Sequence, residues 1–149
     1  MKILAILIIF CIPFIATSQI QNGAQWSFSV KKMGNNTYEL YATASIEAGW
    51  HIYSQFTGQG GPVPTNFIFV KNPLIHFIGN VKEMGKMEKK FDKTFNTSVK
   101  FYSDKVVFSQ IIKLKANIKT NVTGHVEYMA CNDKNCLPPK KISFDVTLQ

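Results

Sequence analysis

Short runs of alternating apolar and polar residues fill most of this chain, and they constrain its fold more than any other feature of the sequence. The runs are rich in β-branched and aromatic residues, and period-two alternation of this kind is typical of half-buried strands. They cover residues 26–32, 37–46, 65–70, 75–82, 99–116, 122–131 and 142–148. The residues 34–36 and 103–105 are predicted turns within this series.

No window of the sequence gives a clear helical repeat. The segment 81–95 is predicted as a short helix or a mobile loop, because Gly85 and the charged residues favour a loop as much as a helix. About seven to nine short antiparallel strands in a chain of this size predict an all-β fold. We therefore expect a single-domain, immunoglobulin-like antiparallel β-sandwich, with a small barrel as the alternative.

Residues 1–18 are predicted to form a secretory signal peptide. Lys2 provides a positive start, an apolar run follows, and small residues at 16–18 precede a cleavage site after Ser18. The apolar run of about 14 residues is shorter than the roughly 20 residues that span a bilayer. We expect an exported protein whose domain covers residues 19–149, with no membrane span after removal of the signal peptide.

The charge of the chain argues against nucleic-acid binding. The formal net charge is +8, from 17 basic and 9 acidic residues, and every basic residue is a lysine. Base recognition and bidentate phosphate contacts favour the planar guanidinium of arginine, which this sequence lacks. The lysines are also scattered, so we expect only loose attraction to acidic surfaces.

Two cysteines stand close together in the stretch YMACNDKNCLPPKK, residues 128–141. Cys11 would leave with the signal peptide, so the mature chain would keep Cys131 and Cys136 alone. In an oxidising compartment such a pair predicts one disulfide. A structural bridge, a metal clip and a redox switch are all compatible with the residues.

Each interpretation has its own physical test. A bridge that closes a six-residue loop stabilises by only about 2 kcal/mol and joins no distant strands. A zinc site needs about four ligands, and the three histidines His51, His76 and His125 form no second motif, so no metal is expected. A redox pair needs an accessible sulfur, which a short polar loop provides. Lys134 would favour the thiolate, whereas Asp133 would oppose it.

The segment EYMACNDKNCLPPKKISFDV (127–146) resembles the end of the periplasmic amino-terminal domain of DsbD, a bacterial thiol–disulfide interchange reductase. The shared pattern is a cysteine, a short polar loop, a second cysteine, an apolar residue, two prolines and a closing strand. AGWHIYSQ (48–55) is similar to the strand beneath the family's active site. KKFDKTFNTSVKFYSDKVVF (89–108) resembles its cap loop and the following strands.

The resemblance implies an immunoglobulin-like sandwich and a set of site residues. Cys131 and Cys136 would be the redox pair, with Cys136 joined to the partner and Cys131 as the resolving thiol. His51 and Tyr53 fall where the family has aromatic residues beside this pair. Phe95 fits the cap phenylalanine that shields the disulfide, with Phe91 as the alternative.

The resemblance also implies partners and a location. We expect a protein-disulfide reductase component without metal or organic cofactor, in the periplasm of a Gram-negative bacterium. Its partners would be thioredoxin-fold proteins, including disulfide isomerases and thioredoxins of cytochrome c maturation. The family's membrane domain and thioredoxin-like domain are not in this sequence, so we expect a separate membrane electron donor.

Three departures from the family pattern stand out. The cysteine spacer is one residue shorter, His51 replaces an aromatic hydroxyl, and Lys93-Thr94 replaces an acidic pair. Because histidine titrates near pH 6.5, His51 predicts a pH-sensitive exchange. The alternative function is a non-catalytic exported β-sandwich that binds a partner and keeps a structural disulfide.

Overall fold

The computed structural model describes residues 22–149, and this part of the chain is all-β, without a helix. The predicted signal peptide at 1–18 lies outside the described residues. Eleven strands follow one another in this range: β1 (Ala24–Gly34), β2 (Thr37–Ile46), β3 (His51–Tyr53), β4 (Asn66–Phe69), β5 (Ile75–Gly85), β6 (Glu88–Asp92), β7 (Thr97–Tyr102), β8 (Lys105–Leu114), β9 (Thr120–Tyr128), β10 (Ala130–Cys131) and β11 (Lys140–Leu148).

The strands form three antiparallel sheets, and two of them make the sandwich. The first sheet has the order β1-β2-β8-β5, and the second has the order β11-β9-β4. Buried side chains from both sheets meet in one core, so the predicted immunoglobulin-like β-sandwich is confirmed. The third sheet, β10-β3-β7-β6, has its own small apolar cluster.

The alternation in the sequence explains the core. On β2, Tyr38, Leu40 and Ala42 all point to one face and are buried, while the residues between them are partly exposed. Tyr38 and Leu40 pack with Ile112 of β8 and with Phe144 of β11. Burial of each such large side chain contributes roughly 1.5–3 kcal/mol, which is why the hydrophobic pattern fixes the register of these strands.

The two predicted turns are present. Residues 35 and 36 form a tight turn between β1 and β2, and Asn36 has a φ of 55°. Asparagine tolerates this left-handed conformation better than most residues. Residues 103 and 104 connect β7 to β8. Both turns therefore join strands that follow one another in the chain.

The prediction of a helix or loop at 81–95 is wrong. The segment contains the end of β5 and the strand β6, followed by a turn. A bulge between Ile78 and Lys82 shifts the register of β5 and disturbs its alternation. The strand β6 lies at the edge of its sheet and pairs only with β7. Its charged residues are typical of an exposed edge. They leave no alternation of apolar and polar residues from which the strand could be predicted.

The strand predicted at 122–131 divides at Met129. Its first part is β9, which belongs to the second sheet and pairs with β11 and β4. Its last two residues form β10, which pairs with β3 in the third sheet. The chain thus changes sheets just before Cys131, and this change brings the cysteine loop beside β3.

Candidate functional site

The cysteine loop is a compact turn closed by a disulfide. Cys131 and Cys136 are bonded, with their Cα atoms 4.0 Å apart. The Asn132 side-chain oxygen accepts hydrogen bonds from the backbone N–H groups of Lys134 and Asn135, each at 2.9 Å. The Asn132 N–H donates in turn to the Asn135 carbonyl at 2.9 Å. This is an asparagine-centred turn, and it fixes the loop without help from other elements.

The exit of the loop is also fixed. The Leu137 N–H donates to the Ala130 carbonyl at 2.8 Å, directly beside the disulfide. Pro138 and Pro139 follow, and their rings restrict the backbone before β11 begins at Lys140. The position of Cys136 is therefore fixed by the Asn132 turn before it and by the Leu137 hydrogen bond and the two prolines after it.

The two sulfur-bearing residues differ sharply in exposure. Cys131 is only 2% exposed and packs in an apolar cluster with Tyr53, Val99 and Phe101. Cys136 is exposed. A thiolate from outside can therefore approach Cys136 far more easily than Cys131.

His51 and Tyr53 lie on β3 beside the buried cysteine. His51 is the register partner of Cys131 across the β3–β10 pair. Its Nε2 shares a hydrogen bond of 3.1 Å with the Tyr53 hydroxyl. Its ring packs at a tilt against Phe101 of β7, with the ring centroids 4.9 Å apart. Both site residues are buried, so their orientation is fixed by packing and by their mutual hydrogen bond.

Burial keeps both of these side chains uncharged near neutral pH. The pKa of His51 is lowered from 6.5, first by burial and then by the Lys90 ammonium, while the carboxylates of Asp92 and Asp133 oppose this shift. The pKa of Tyr53 is raised well above its usual 10.0, mainly by burial and also by the charge of Asp92. The site therefore presents a neutral imidazole and a neutral phenol.

A cavity of about 430 Å³ lies between the cysteine loop and the segment 90–95. All six residues that the sequence identified as site candidates line it: His51, Tyr53, Phe91, Phe95, Cys131 and Cys136. The sequence places these residues in three separate segments, and the fold brings them together.

The turn after β6 forms one wall of the cavity. The Asp92 side chain accepts hydrogen bonds from the backbone N–H groups of Thr94, at 2.8 Å, and Phe95, at 3.4 Å. Asn96 completes the turn with a φ of 53°. Phe95 is half-buried, whereas Phe91 is 58% exposed. Of the two candidate cap residues, Phe95 is thus the more enclosed.

Glu83 is a residue of this region that the sequence did not reveal. Its carboxylate on β5 accepts hydrogen bonds from the Ser54 hydroxyl at 2.7 Å, the Gln55 N–H at 2.6 Å and the Tyr102 hydroxyl at 2.8 Å. Ser54 follows Tyr53 directly, and Tyr102 is the register partner of Ile52. Glu83 therefore connects the third sheet to the edge of the first.

Thr65 is a second residue of this region that could not be predicted from the sequence. Its hydroxyl and its backbone N–H both donate to the Tyr53 carbonyl. Thr65 is buried, and it holds β3 at Tyr53, the same end at which Glu83 bonds to Ser54. A single threonine or glutamate in a strand-rich sequence carries no signal of such a role, because the contacts join residues far apart in the chain.

The described residues offer no metal centre of protein ligands. Within residues 22–149, no three or more histidine, cysteine, aspartate or glutamate side chains gather closely enough to hold an ion. The same part of the chain contains no helix with the length and hydropathy needed to cross a membrane. The groups that line the cavity include two sulfurs, an imidazole and a phenol, together with charged lysine and aspartate side chains.

Comparison with known proteins gives a family match over nearly the whole chain. The family model described as thiol:disulfide interchange protein DsbD, N-terminal, matches residues 17–148. No curated protein sequence matches the chain.

Two solved structures resemble the fold. The N-terminal periplasmic domain of ScsB from Proteus mirabilis has a TM-score of 0.62 and 16% identity, and the match covers 87% of this chain and 48% of that one. The reduced N-terminal domain of DsbD from Neisseria meningitidis has a TM-score of 0.58 and 15% identity, with 84% and 85% covered. This chain thus spans about half of the ScsB domain. At such identities the likeness supports the fold alone.

Proposed function

The chain belongs to the family of DsbD N-terminal domains, which implies a role in thiol–disulfide interchange, and we propose that Cys131 and Cys136 are its redox pair. The pair passes two electrons between thioredoxin-fold proteins. Cys136 forms the mixed disulfide with the partner, and Cys131 is the resolving thiol.

The difference in exposure between the two cysteines supports this assignment. Thiol–disulfide exchange requires a thiolate to attack one sulfur of a disulfide, so access decides which sulfur is attacked. Cys136 is exposed, whereas Cys131 is 2% exposed. An incoming thiolate therefore attacks Cys136, and Cys131 is the leaving group.

The complete exchange needs only sulfur chemistry. A donor thiolate attacks Cys136 Sγ, the bond to Cys131 breaks, and Cys131 leaves with the electron pair as a thiolate. The second donor thiolate then attacks the donor sulfur of the mixed disulfide and releases Cys136. The donor becomes a disulfide and this protein a dithiol. The reverse sequence reduces an acceptor, so no metal or organic cofactor is required.

The wider setting belongs to the same proposal. We place the protein in the periplasm of a Gram-negative bacterium after removal of a signal peptide at 1–18. The domain at 19–149 acts as a protein-disulfide reductase component, with electrons supplied by a separate membrane protein. Its acceptors are thioredoxin-fold proteins such as disulfide isomerases and those of cytochrome c maturation.

A binding module with an inert disulfide is the weaker candidate. The bridge closes a loop that hydrogen bonds from Asn132 already hold. A disulfide across so short a loop is worth only about 2 kcal/mol, and it joins no distant elements. A purely structural role leaves the exposure of Cys136 without a function.

The reduction potential of the Cys131–Cys136 pair tests the proposal. The mature protein is equilibrated with glutathione buffers, and its redox state is followed by thiol alkylation and mass. Exchange proteins lie between about −120 and −270 mV, whereas structural disulfides lie below about −300 mV. A value in the first range with rapid reduction by a thioredoxin-fold protein supports the carrier. A value below the second limit with slow exchange makes the bridge structural.

Trapping experiments test the roles of the two cysteines separately. Cys131→Ser, incubated with an oxidised thioredoxin-fold protein, is expected to accumulate a mixed disulfide, because no resolving thiol is present. Cys136→Ser is expected to trap none, because the remaining thiol is buried. Non-reducing electrophoresis measures both. Equal behaviour of the two variants contradicts the assigned roles.

A further inference from the structure

We propose that His51 is the base that accepts the proton of the Cys131 thiol when this thiol resolves the mixed disulfide at Cys136. The inference rests on the proposed function and adds a proton acceptor to it. It is carried by the pairing of β3 with β10 and by the shared cavity, which place the imidazole and the resolving cysteine together.

The geometry places the two side chains side by side. His51 and Cys131 are register partners in an antiparallel pair. Side chains at such positions lie on the same face of the sheet, with Cβ atoms about 4.5–5.5 Å apart. Both residues also line the same cavity. The resolving cysteine thus has a titratable ring as its direct cross-strand neighbour.

A base is useful at this sulfur because its surroundings are apolar. Cys131 is 2% exposed and packs with Val99 and Phe101. The thiolate is the nucleophile in exchange, and burial disfavours the charged form of any group. Water can hardly reach the Cys131 thiol to remove its proton, whereas the His51 ring already lies beside it.

The hydrogen bond to Tyr53 determines which ring nitrogen is available. Nε2 of His51 is engaged with the Tyr53 hydroxyl at 3.1 Å. When Nε2 carries the ring proton and donates it to the phenol oxygen, Nδ1 has a free lone pair. Within residues 22–149, Nδ1 has no hydrogen-bond partner. The proposal requires this tautomer, in which Tyr53 accepts from Nε2 and the proton of the thiol is taken up at Nδ1.

Burial, and after it the Lys90 ammonium, keeps the His51 ring in the neutral form that accepts a proton. Burial and Lys90 lower the pKa of His51 from 6.5, so the imidazole is neutral near pH 7. The charged and titratable groups that face it come from β3, from β6 and the turn after it, and from the cysteine loop: Tyr53, Glu88, Lys90, Asp92, Lys93, Asp133 and Lys134. The carboxylates in this set stabilise the imidazolium that forms during the step.

The step is balanced in atoms and electrons. Cys136 is first bonded to a sulfur of the thioredoxin-fold acceptor. Cys131 gives its proton to His51, and its thiolate attacks Cys136 Sγ to form the intramolecular disulfide. The bond from Cys136 to the acceptor breaks, and the acceptor sulfur leaves with the electron pair. It then takes the proton from the imidazolium, which restores the neutral ring.

Ellman's reagent isolates this step without a protein partner. In the first phase the exposed Cys136 of the reduced protein attacks the reagent and releases one coloured thiolate. In the second phase Cys131 resolves the mixed disulfide at Cys136 and releases another. The rate of the second phase, measured across pH by stopped flow, reports on the proton acceptor.

His51→Gln removes the titratable ring and keeps a side chain that can hydrogen-bond to Tyr53. We expect it to slow the second phase at pH 7 by roughly 10²-fold, as is typical for loss of a general base. The first phase should be unchanged. The matched control is His76→Gln, an exposed histidine on β5 outside the cavity, which should leave both phases unchanged.

A measurement on the unaltered protein tests the proposal even if the His51→Gln variant does not fold. The pKa of His51 in the reduced protein is obtained by NMR titration of the imidazole. The second phase should slow as pH falls through this same value. The proposal is overturned if the rate of the second phase does not change as His51 titrates. It is also overturned if folded His51→Gln has the same second-phase rate as the unaltered protein. A bridge that glutathione does not reduce would instead overturn the proposed function, which is a different result.

Discussion

The carboxylate of Glu83 on β5 lies 2.7 Å from the hydroxyl of Ser54, the residue that follows Tyr53 at the end of β3. Ser54 is fully buried, so Glu83 satisfies a hydroxyl that water cannot reach. The same carboxylate also accepts from Tyr102, on the strand next to β3. One acidic side chain thus connects the sheet that carries the cysteine loop to the edge of the sandwich.

Glu83→Ala is expected to destabilise the protein by about 2–4 kcal/mol. It removes hydrogen bonds to a charged group and leaves the hydrogen of the buried Ser54 hydroxyl without an acceptor, while Ser54 Oγ still accepts from the Phe56 N–H. Urea unfolding measures the change. Glu127→Ala on β9 is the control, because that carboxylate makes no hydrogen bond within residues 22–149, and its effect should stay below about 0.5 kcal/mol. Equal losses in the two variants would contradict the role of Glu83.

Phe95→Ala is expected to make the disulfide react faster with a small thiol. Phe95 is half-buried in the wall of the disulfide cavity, whereas Phe91 is 58% exposed. We expect the rate of reduction by dithiothreitol to rise about tenfold, which corresponds to roughly 1.4 kcal/mol of shielding. Phe91→Ala is the matched control and should change the rate less than twofold. A larger effect from Phe91 would make it the cap residue instead.

Gly124→Ala is expected to destabilise the sandwich by about 3 kcal/mol, the upper end for overpacking. A Cβ atom at Gly124 would stand 2.3 Å from the Ile68 carbonyl oxygen and 2.8 Å from the Phe144 ring. The Ile68 atom belongs to the backbone of the paired strand β4, so it moves only with that strand. Thermal unfolding measures the loss.

The control for this variant is Gly58→Ala. A Cβ atom there would have only the Ser98 carbonyl oxygen within reach, at 3.7 Å, an ordinary contact distance. We expect a change within about 0.5 kcal/mol. A stable Gly124→Ala protein would mean that β4 can separate from β9 at little cost.

The sequence could predict the sandwich because alternation marks strands that have one face in the core. On β2, Leu40 and Ala42 are buried and their neighbours are not, and this contrast is visible without a structure. Alternation does not identify β3, because its three residues are all buried. Only the family resemblance identified that strand. Alternation fails again for β6, where Lys89 and Lys90 occupy an edge with one partner strand.

The site could be predicted in composition but not in geometry. The resemblance named Cys131, Cys136, His51 and Tyr53, and they do line one cavity. That His51 pairs with Cys131 depends on a register between strands about eighty residues apart, which no local pattern contains. Glu83 was missed for the same reason. Its partners are nineteen and twenty-nine residues away, and a charged residue in a strand usually faces solvent.

Reduction of the disulfide is expected to lower the free energy of unfolding by only about 2 kcal/mol, the value for so short a loop. The hydrogen bonds of Asn132 and that of Leu137 do not depend on the bridge. Urea unfolding with and without dithiothreitol measures the difference. The Cys131→Ser and Cys136→Ser double variant should resemble the reduced protein. A loss large enough to unfold the protein would favour a structural bridge over a carrier that cycles.

The stability of the protein is expected to fall as pH drops from 7 through 6.5 toward the lowered pKa of His51. Between the two values the unfolded chain binds a proton that the folded state excludes, because burial, followed by Lys90, lowers the pKa of the folded state. Linkage then makes the free energy of unfolding rise with pH in this window. His51→Gln should flatten the profile, whereas His76→Gln should not. Urea midpoints across pH measure it, and an unchanged slope in His51→Gln would mean that other groups set the pH dependence.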